Sequence, residues 1–228
     1  SSWLLMGLPG LAYLKGFGDA GWTAIGLILG TYLNWKFVAA RLRKYSQVSN
    51  NSITIPDFFS NRFRDNKNIL MTISSIMIII FFTVYTASGF AACGKLFNNV
   101  FGSDYHTAMI ICGLVIVAYT FVGGFLAAST SDFLQGVLMS ASIIIILIVG
   151  IVKAGGIGNV IEHARSLPGY LDVLNTYDVA TGTKTTYGSL SIVSGLAWGL
   201  GYFGVPHILI RFMAISSSKE IKKSRSIA

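Results

Sequence analysis

Long apolar runs separated by short polar connections dominate the chain. Five stretches are nearly free of charge: 22–40 with only Lys36, 69–94, 107–131, 133–152 and 185–210. Each is at least 19 residues long, and about 20 apolar residues carry a helix across a bilayer. Backbone amides and carbonyls find no water in hydrocarbon, so a helix that closes its own hydrogen bonds is the natural solution there. Barrel-type alternation is missing from these runs. The pattern predicts whole spans at about 22–40, 69–94, 107–122, 133–152 and 189–212. Residues 1–14 read as the outer half of one more helix, cut off at its first residue, so the sequence is expected to be a piece of a longer chain. The fold class is all-α and polytopic, a single transmembrane domain over 1–228.

The connections carry turn and capping signals. "SITIPDFFSNRF" (52–63) sets Pro56 after a short β-branched run, and Asp57 is expected to cap a short interfacial helix. "FNNVFGSDY" (97–105) turns at one face of the membrane and "GGFLAASTSD" (123–132) at the other. The longest polar connection, 153–188, reads as a loop with one short helix around 157–166.

Composition agrees with a membrane protein: 53% hydrophobic residues, only 11% charged and a positive mean hydropathy, where soluble chains carry about a quarter charged residues. The net charge of +8 does not point to nucleic acid, because of where it lies. Arg41, Arg43, Lys44, Arg62, Arg64 and Lys67 fall in one connection, and Arg211, Lys219, Lys222, Lys223 and Arg225 lie at and beyond the end of the last span. The opposite connections hold only scattered cations. Basic loops face the cytoplasm, so 41–68 and 211–228 are expected inside, with 95–106 and 153–188 outside. Cys93 and Cys112 fall within spans and read as small apolar fillers. With three scattered histidines they offer no metal-ligand spacing.

Two segments, "GFGDAG" (16–21) and "GLGYFG" (199–204), spell a dinucleotide fingerprint. That motif needs a strand before it and a helix after it. One copy lies at a membrane exit and the other inside a span, so both nucleotide readings fail. What remains for "WGLGYFGVPH" (198–207) is an interrupted helix: Gly199, Gly201 and Gly204 weaken it, and Pro206 removes a donor. Broken helices place backbone groups at substrate and ion sites of secondary transporters. Close helix packing by small residues is the alternative. "SSWLLMGLPG" (1–10) repeats the combination of small polar residues, tryptophan, glycine and proline, and two such segments point to a transporter's binding site. Tyr85 has a hydroxyl that needs a partner or simply packs. Asp132 is either the N-cap of its span or a cation ligand. No nucleophile–base set is visible, so no enzyme is expected.

"WLLMGLPG", "NWKFVAARLR", "ITIPDFFSNRF", "FFTVYTASG", "YTFVGGFLA" and "WGLGYFGVPHILIRFMA" run in order over nearly the whole chain. In that order they resemble the sodium:solute symporter family. The resemblance implies a LeuT-type fold of two inverted repeats, here in part, from the outer half of the first core helix through the sixth. It implies sodium-coupled import of a small solute across the cytoplasmic membrane, with proline as the first candidate and sodium as the coupling ion. No cofactor and no nucleic-acid partner are expected. Another solute such as pantothenate or a sugar is the alternative, as is a transporter-like sensor domain of a signalling kinase. Carried over residue by residue, Ser1, Trp3, Tyr85, Trp198 and Tyr202 resemble the substrate contacts. Ser1 and Asp132 resemble residues of the sodium pathway, and Gly199, Gly201, Gly204 and Pro206 would form the hinge. Ser2 and Val205 stand where the family pattern has glycine and glutamine.

Overall fold

Apolar runs close their own backbone hydrogen bonds, and the chain is mostly helical. The computed structural model describes Trp3 and residues 7–227. The helices in order are α1 (Leu8–Lys15), α2 (Phe17–Leu33), α3 (Ala40–Val48), α4 (Ile55–Phe63), α5 (Ile69–Phe101), α6 (Tyr105–Lys153), α7 (Ile157–Ser166), α8 (Ser189–Ala197), α9 (Pro206–Ala214) and α10 (Ile221–Ile227). A π-helical stretch, Asn34–Ala39, joins α2 to α3, and a 3-10 helix, Trp198–Phe203, follows α8. Chain contacts define two compact units: Ser1–Gly10 with Phe82–Pro168, and Leu11–Phe81 with Gly169–Ala228.

Helices α5, whose residues from Phe82 onward belong to the first unit, and α6 are long and apolar enough to cross a membrane. Their apolar side chains stand open, Phe121 at 89% and Val122 at 87% exposure, as a lipid-facing surface requires. The Asp104 carboxylate caps α6 by accepting from the Thr107 amide at 2.9 Å, and that bond holds its pKa below the ordinary aspartate value. Gly94 lets α5 approach the start of α6, since an added Cβ would come 2.9 Å from the Tyr105 ring. A turn is expected over 123–132, yet the chain leaves helical geometry only at Gly124 (φ 55°, ψ −144°). Glycine alone adopts that conformation readily, and "FLAAST" contains nothing that stops a helix from resuming at once. Asp132 therefore lies inside α6 rather than at an N-cap.

The second unit is built on two runs side by side. One is α2, the π stretch and α3; the other is α8, the 3-10 helix and α9. Tyr187 meets Asp19 where both begin, and Arg43 meets Met213 where both finish, so the two runs are parallel. At the Arg43 end Ala39, Leu42, Ile55, Leu209, Phe212 and Met213 bury their side chains together. Trp35 stands edge-on to Phe212 at 4.6 Å between ring centroids. The Arg43 guanidinium donates to the carbonyls of Met213 (2.6 Å) and Ser216 (3.3 Å), where cationic capping of a helix end is favourable.

Two local expectations need correction. Thr54, not Asp57, is the N-cap of α4: its hydroxyl accepts from the Asp57 amide at 3.3 Å, while the Asp57 carboxylate accepts from the Ile53 amide at 3.3 Å. This reciprocal arrangement is close to a capping box. The end of 153–188 is not plain loop, so the fold is not strictly all-α. Strands β1 (Asn175–Asp178) and β2 (Thr183–Thr186) pair antiparallel, Asn175 opposite Thr186. The Thr-rich stretch suits a pleated ribbon. Residues 157–166 form the short helix α7.

Candidate functional site

The interrupted segment is real in geometry. Helices Ser189–Phe203 and Pro206–Ala214 meet at a bend of 44°. Between them Val205 is extended (φ −75°, ψ 112°) and Pro206 begins α9. The segment is wound as a 3-10 helix rather than unwound. That winding decides which side chains share a face, because residues three apart eclipse one another. Gly199 and Tyr202 fall on one line; Trp198, Gly201 and Gly204 fall on another.

The Gly199 line faces α2. A Cβ on Gly199 would land inside van der Waals contact of the Gly26 carbonyl oxygen, and one on Gly30 would strike the Gly199 backbone. On Gly26 it would come 2.6 Å from the Leu196 carbonyl oxygen. The two readings of this segment, a break and close small-residue packing, thus divide among its glycines: Gly199 packs, while Gly201 and Gly204 meet nothing within 4 Å.

Sequence reasoning missed Asn34. Proline at 206 has no N–H for the carbonyl four residues back, which is that of Tyr202. Asn34 Nδ2 donates to this carbonyl at 2.8 Å. Its side chain is 1% exposed and stands at the first position of the π stretch, a distortion frequent at functional sites. The signal lay in "NWK": an amide side chain in an apolar run is costly unless paired.

Trp198, half exposed, lines a cavity of about 390 Å³ with Lys15, Asp19, Tyr187, Leu190, Ser191 and Ser194. Tyr202 lies a third of a turn away on the α2 side and is half-buried. In the other unit, Trp3 lies over Gly7, where an added Cβ would come 2.9 Å from the indole Cδ2. Tyr85 is 60% exposed on α5, its ring 5.6 Å from that of Phe82. Asp132 is exposed on α6. Ser1 lies outside the described residues.

Where the second unit begins its two runs, the 169–188 segment is tied down on 14–22. The Phe17 amide donates to the Tyr170 carbonyl (2.7 Å), Trp22 Nε1 to the Val173 carbonyl (2.8 Å) and the Thr176 hydroxyl to the Lys15 carbonyl (2.9 Å). The Tyr187 hydroxyl donates to Asp19 Oδ1 at 2.8 Å. Partial burial and then the Asp19 carboxylate push the Tyr187 pKa up to about 12, so it donates throughout the physiological range.

Comparison with known proteins places these features in a family. The sodium:solute symporter family matches residues 1–228. The chain is 48% identical over 227 residues to the "High-affinity proline transporter PutP" of Bacillus subtilis (strain 168), covering 100% of this chain and 46% of that protein. It is 43% identical over 227 residues to the "Sodium/proline symporter" of Staphylococcus aureus (strain USA300 / TCH1516), covering 100% of this chain and 42% of that one. The chain thus spans less than half the length of these curated relatives. No solved structure matches. This is a transporter family, not an enzyme family, and the two helices among the described residues that are long and apolar enough for a membrane suit it. The chain belongs to the sodium:solute symporter family.

Proposed function

We propose that this chain is part of a sodium-coupled importer of proline in the cytoplasmic membrane, working by alternating access in a LeuT-type fold. The observation that carries the reading is the bent, 3-10-wound segment 198–204, with its Tyr202 carbonyl held by Asn34. Relatives named as proline transporters supply the solute and a relative named for sodium the coupling ion. In this reading residues 1–14 are the outer half of the first core helix and 189–212 is the sixth. The spans between them lie near 22–40, 69–94, 107–122 and 133–152.

The chemistry follows from what a broken helix exposes. A 3-10 segment followed by extended Val205 leaves amides and carbonyls outside a regular ladder. These can meet the ammonium and carboxylate of an amino acid, which hydrocarbon cannot. The Trp198 indole supplies an apolar wall for a pyrrolidine ring, with Trp3, Tyr85, Tyr202 and Ser1 as further contacts carried over from the family. Gly201 and Gly204, free of steric neighbours, and Pro206 make the hinge, while Gly199 anchors it to α2. Sodium favours the outward-facing, proline-binding state, since a ligand shifts an equilibrium only toward the state it binds better. Asp132 serves the ion's route: it lies within α6 and so is not needed as a helix cap.

Sodium-gradient-dependent uptake of labelled proline by the full-length protein in proteoliposomes tests the function. Uptake that ignores the gradient, or a carrier that takes another solute instead, refutes it. In the same vesicles Asp132→Asn is expected to raise the sodium concentration for half-maximal uptake. An unchanged value removes Asp132 from the ion pathway.

A further inference from the structure

One charged pair in the second unit is left over from the site around the broken helix. Lys15 ends α1 and Asp19 lies in the first turn of α2, across the break at Gly16, with Nζ 3.6 Å from Oδ2. The pair is loose: the distance exceeds that of a charge-assisted hydrogen bond. The lysine side chain is 58% exposed and the aspartate 16%. Asp19 cannot swing away, because Tyr187 holds its other oxygen at 2.8 Å. The pair lines two cavities at once. One, of about 610 Å³, lies beneath the β1–β2 hairpin and is bounded by Thr176, Asp178 and Thr186. The other, of about 390 Å³, leads to Trp198 and carries the Ser191 and Ser194 hydroxyls and the apolar face of Leu190. Both volumes fit the range of small-molecule sites.

We propose that Lys15 and Asp19 form a docking site for a zwitterionic α-amino acid, on a path from the hairpin cavity to Trp198. This rests on the transport reading above and adds to it a second point of contact with the solute. An α-amino acid carries its ammonium and carboxylate on one carbon, so both charges arrive together. The ammonium takes the place of Lys15 on Asp19, and the freed lysine accepts the carboxylate. The ligand's side chain then lies toward Leu190 and Trp198. An anion meets repulsion from Asp19 and a cation from Lys15, so a fixed pair of opposite charges selects for a solute carrying both. Tyr187 keeps the aspartate aimed into the space and is a positioning residue.

The test uses the full-length transporter in proteoliposomes, with the amount of each variant in the membrane measured alongside. Competitors are prolinamide, which lacks the carboxylate, and N-acetylproline, which lacks the ammonium. Asp19→Asn and Lys15→Gln are each expected to raise the KM for proline about tenfold, with the rate at saturating proline changed less than twofold. The selective result is the decisive one. Lys15→Gln does not weaken inhibition by prolinamide, and Asp19→Asn does not weaken inhibition by N-acetylproline. Each analogue never used the group removed and is freed from its like-charge repulsion, so its inhibition holds or strengthens while proline's affinity falls. Variants that weaken all three ligands alike, or that lower only the maximal rate, make the pair a structural latch and overturn the proposal. So does an unaltered KM in both. If the wild-type carrier takes up a different zwitterionic amino acid, the solute reading fails while the amide and N-acetyl forms of that solute decide the docking site. A wild-type carrier confined to solutes without paired charges overturns both.

Discussion

Pro206 offers no N–H to the carbonyl of Tyr202, and Asn34 supplies one from α2. The break and its repair are therefore a coupled pair, and coupling is measurable. Asn34→Leu strands a buried carbonyl and is expected to cost about 1–3 kcal/mol of stability, read as a lower unfolding temperature in detergent. Pro206→Ala returns a donor within reach of the same carbonyl once the helix re-forms across the gap. The cost of Asn34→Leu in that background should then fall by about 1 kcal/mol or more. Strictly additive costs separate Asn34 from the break. Tyr187 offers a second residue-level test. Its pKa is raised from 10.0 to about 12, so the folded state favours the protonated hydroxyl. The resulting stability is fully present below pH 10, the unfolded value, and is lost as pH rises through about 12. The difference in unfolding temperature between wild type and Tyr187→Phe should stay flat from pH 6 to 9 and shrink above 10.

At the level of elements, the glycines of the 198–204 segment do different work, and substitution separates them. Gly199→Ala forces a Cβ against the Gly26 carbonyl. Two helix backbones in contact cannot absorb that locally, so the variant is expected to lose several-fold in folded yield and about 1–3 kcal/mol or more. Gly201→Ala meets open space. It should fold with stability within about 1 kcal/mol of wild type but slow uptake, because alanine favours the regular helix that the segment avoids. Equal yields for the two variants would mean that the α2 contact is not tight. The same elements show how far local pattern reaches. Pro206 and the glycines announced an interruption between 198 and 207. The 3-10 winding, which sets Trp198 and Tyr202 on different faces, depends on how closely α2 lies alongside.

For the whole molecule, the positive charge of 41–68 and 211–228 against the sparse charge of 153–188 predicts sidedness. The second unit agrees internally: Arg43 caps α9 at one end, and the β hairpin segment is tied to 14–22 at the other. In a cysteine-free full-length protein, cysteine at Thr181, on the hairpin tip, should react with an impermeant reagent added outside intact cells. Cysteine at the exposed Gln47 should react only after the membrane is opened. The reverse labelling pattern inverts the orientation.

What the sequence by itself determined is what depends on composition and local order. Charge-free runs made helices, because a helix closes its own backbone hydrogen bonds where water is absent, and among the described residues Ile69–Phe101 and Tyr105–Lys153 are long and apolar enough for a membrane. The clustering of Lys and Arg predicts a sidedness, and glycine with proline in "WGLGYFGVPH" marked a break. Quoted motifs carried the family through. Tertiary structure decided what depends on partners distant in sequence. It picked Asn34, 168 residues from Tyr202, as the donor that Pro206 cannot be, and it tied Tyr187 to Asp19 across the same separation. It made Gly199 a packing residue and left Gly201 open, though both are the same residue in the same motif. Local propensity describes what a backbone tolerates; only a neighbouring helix settles which tolerance is used.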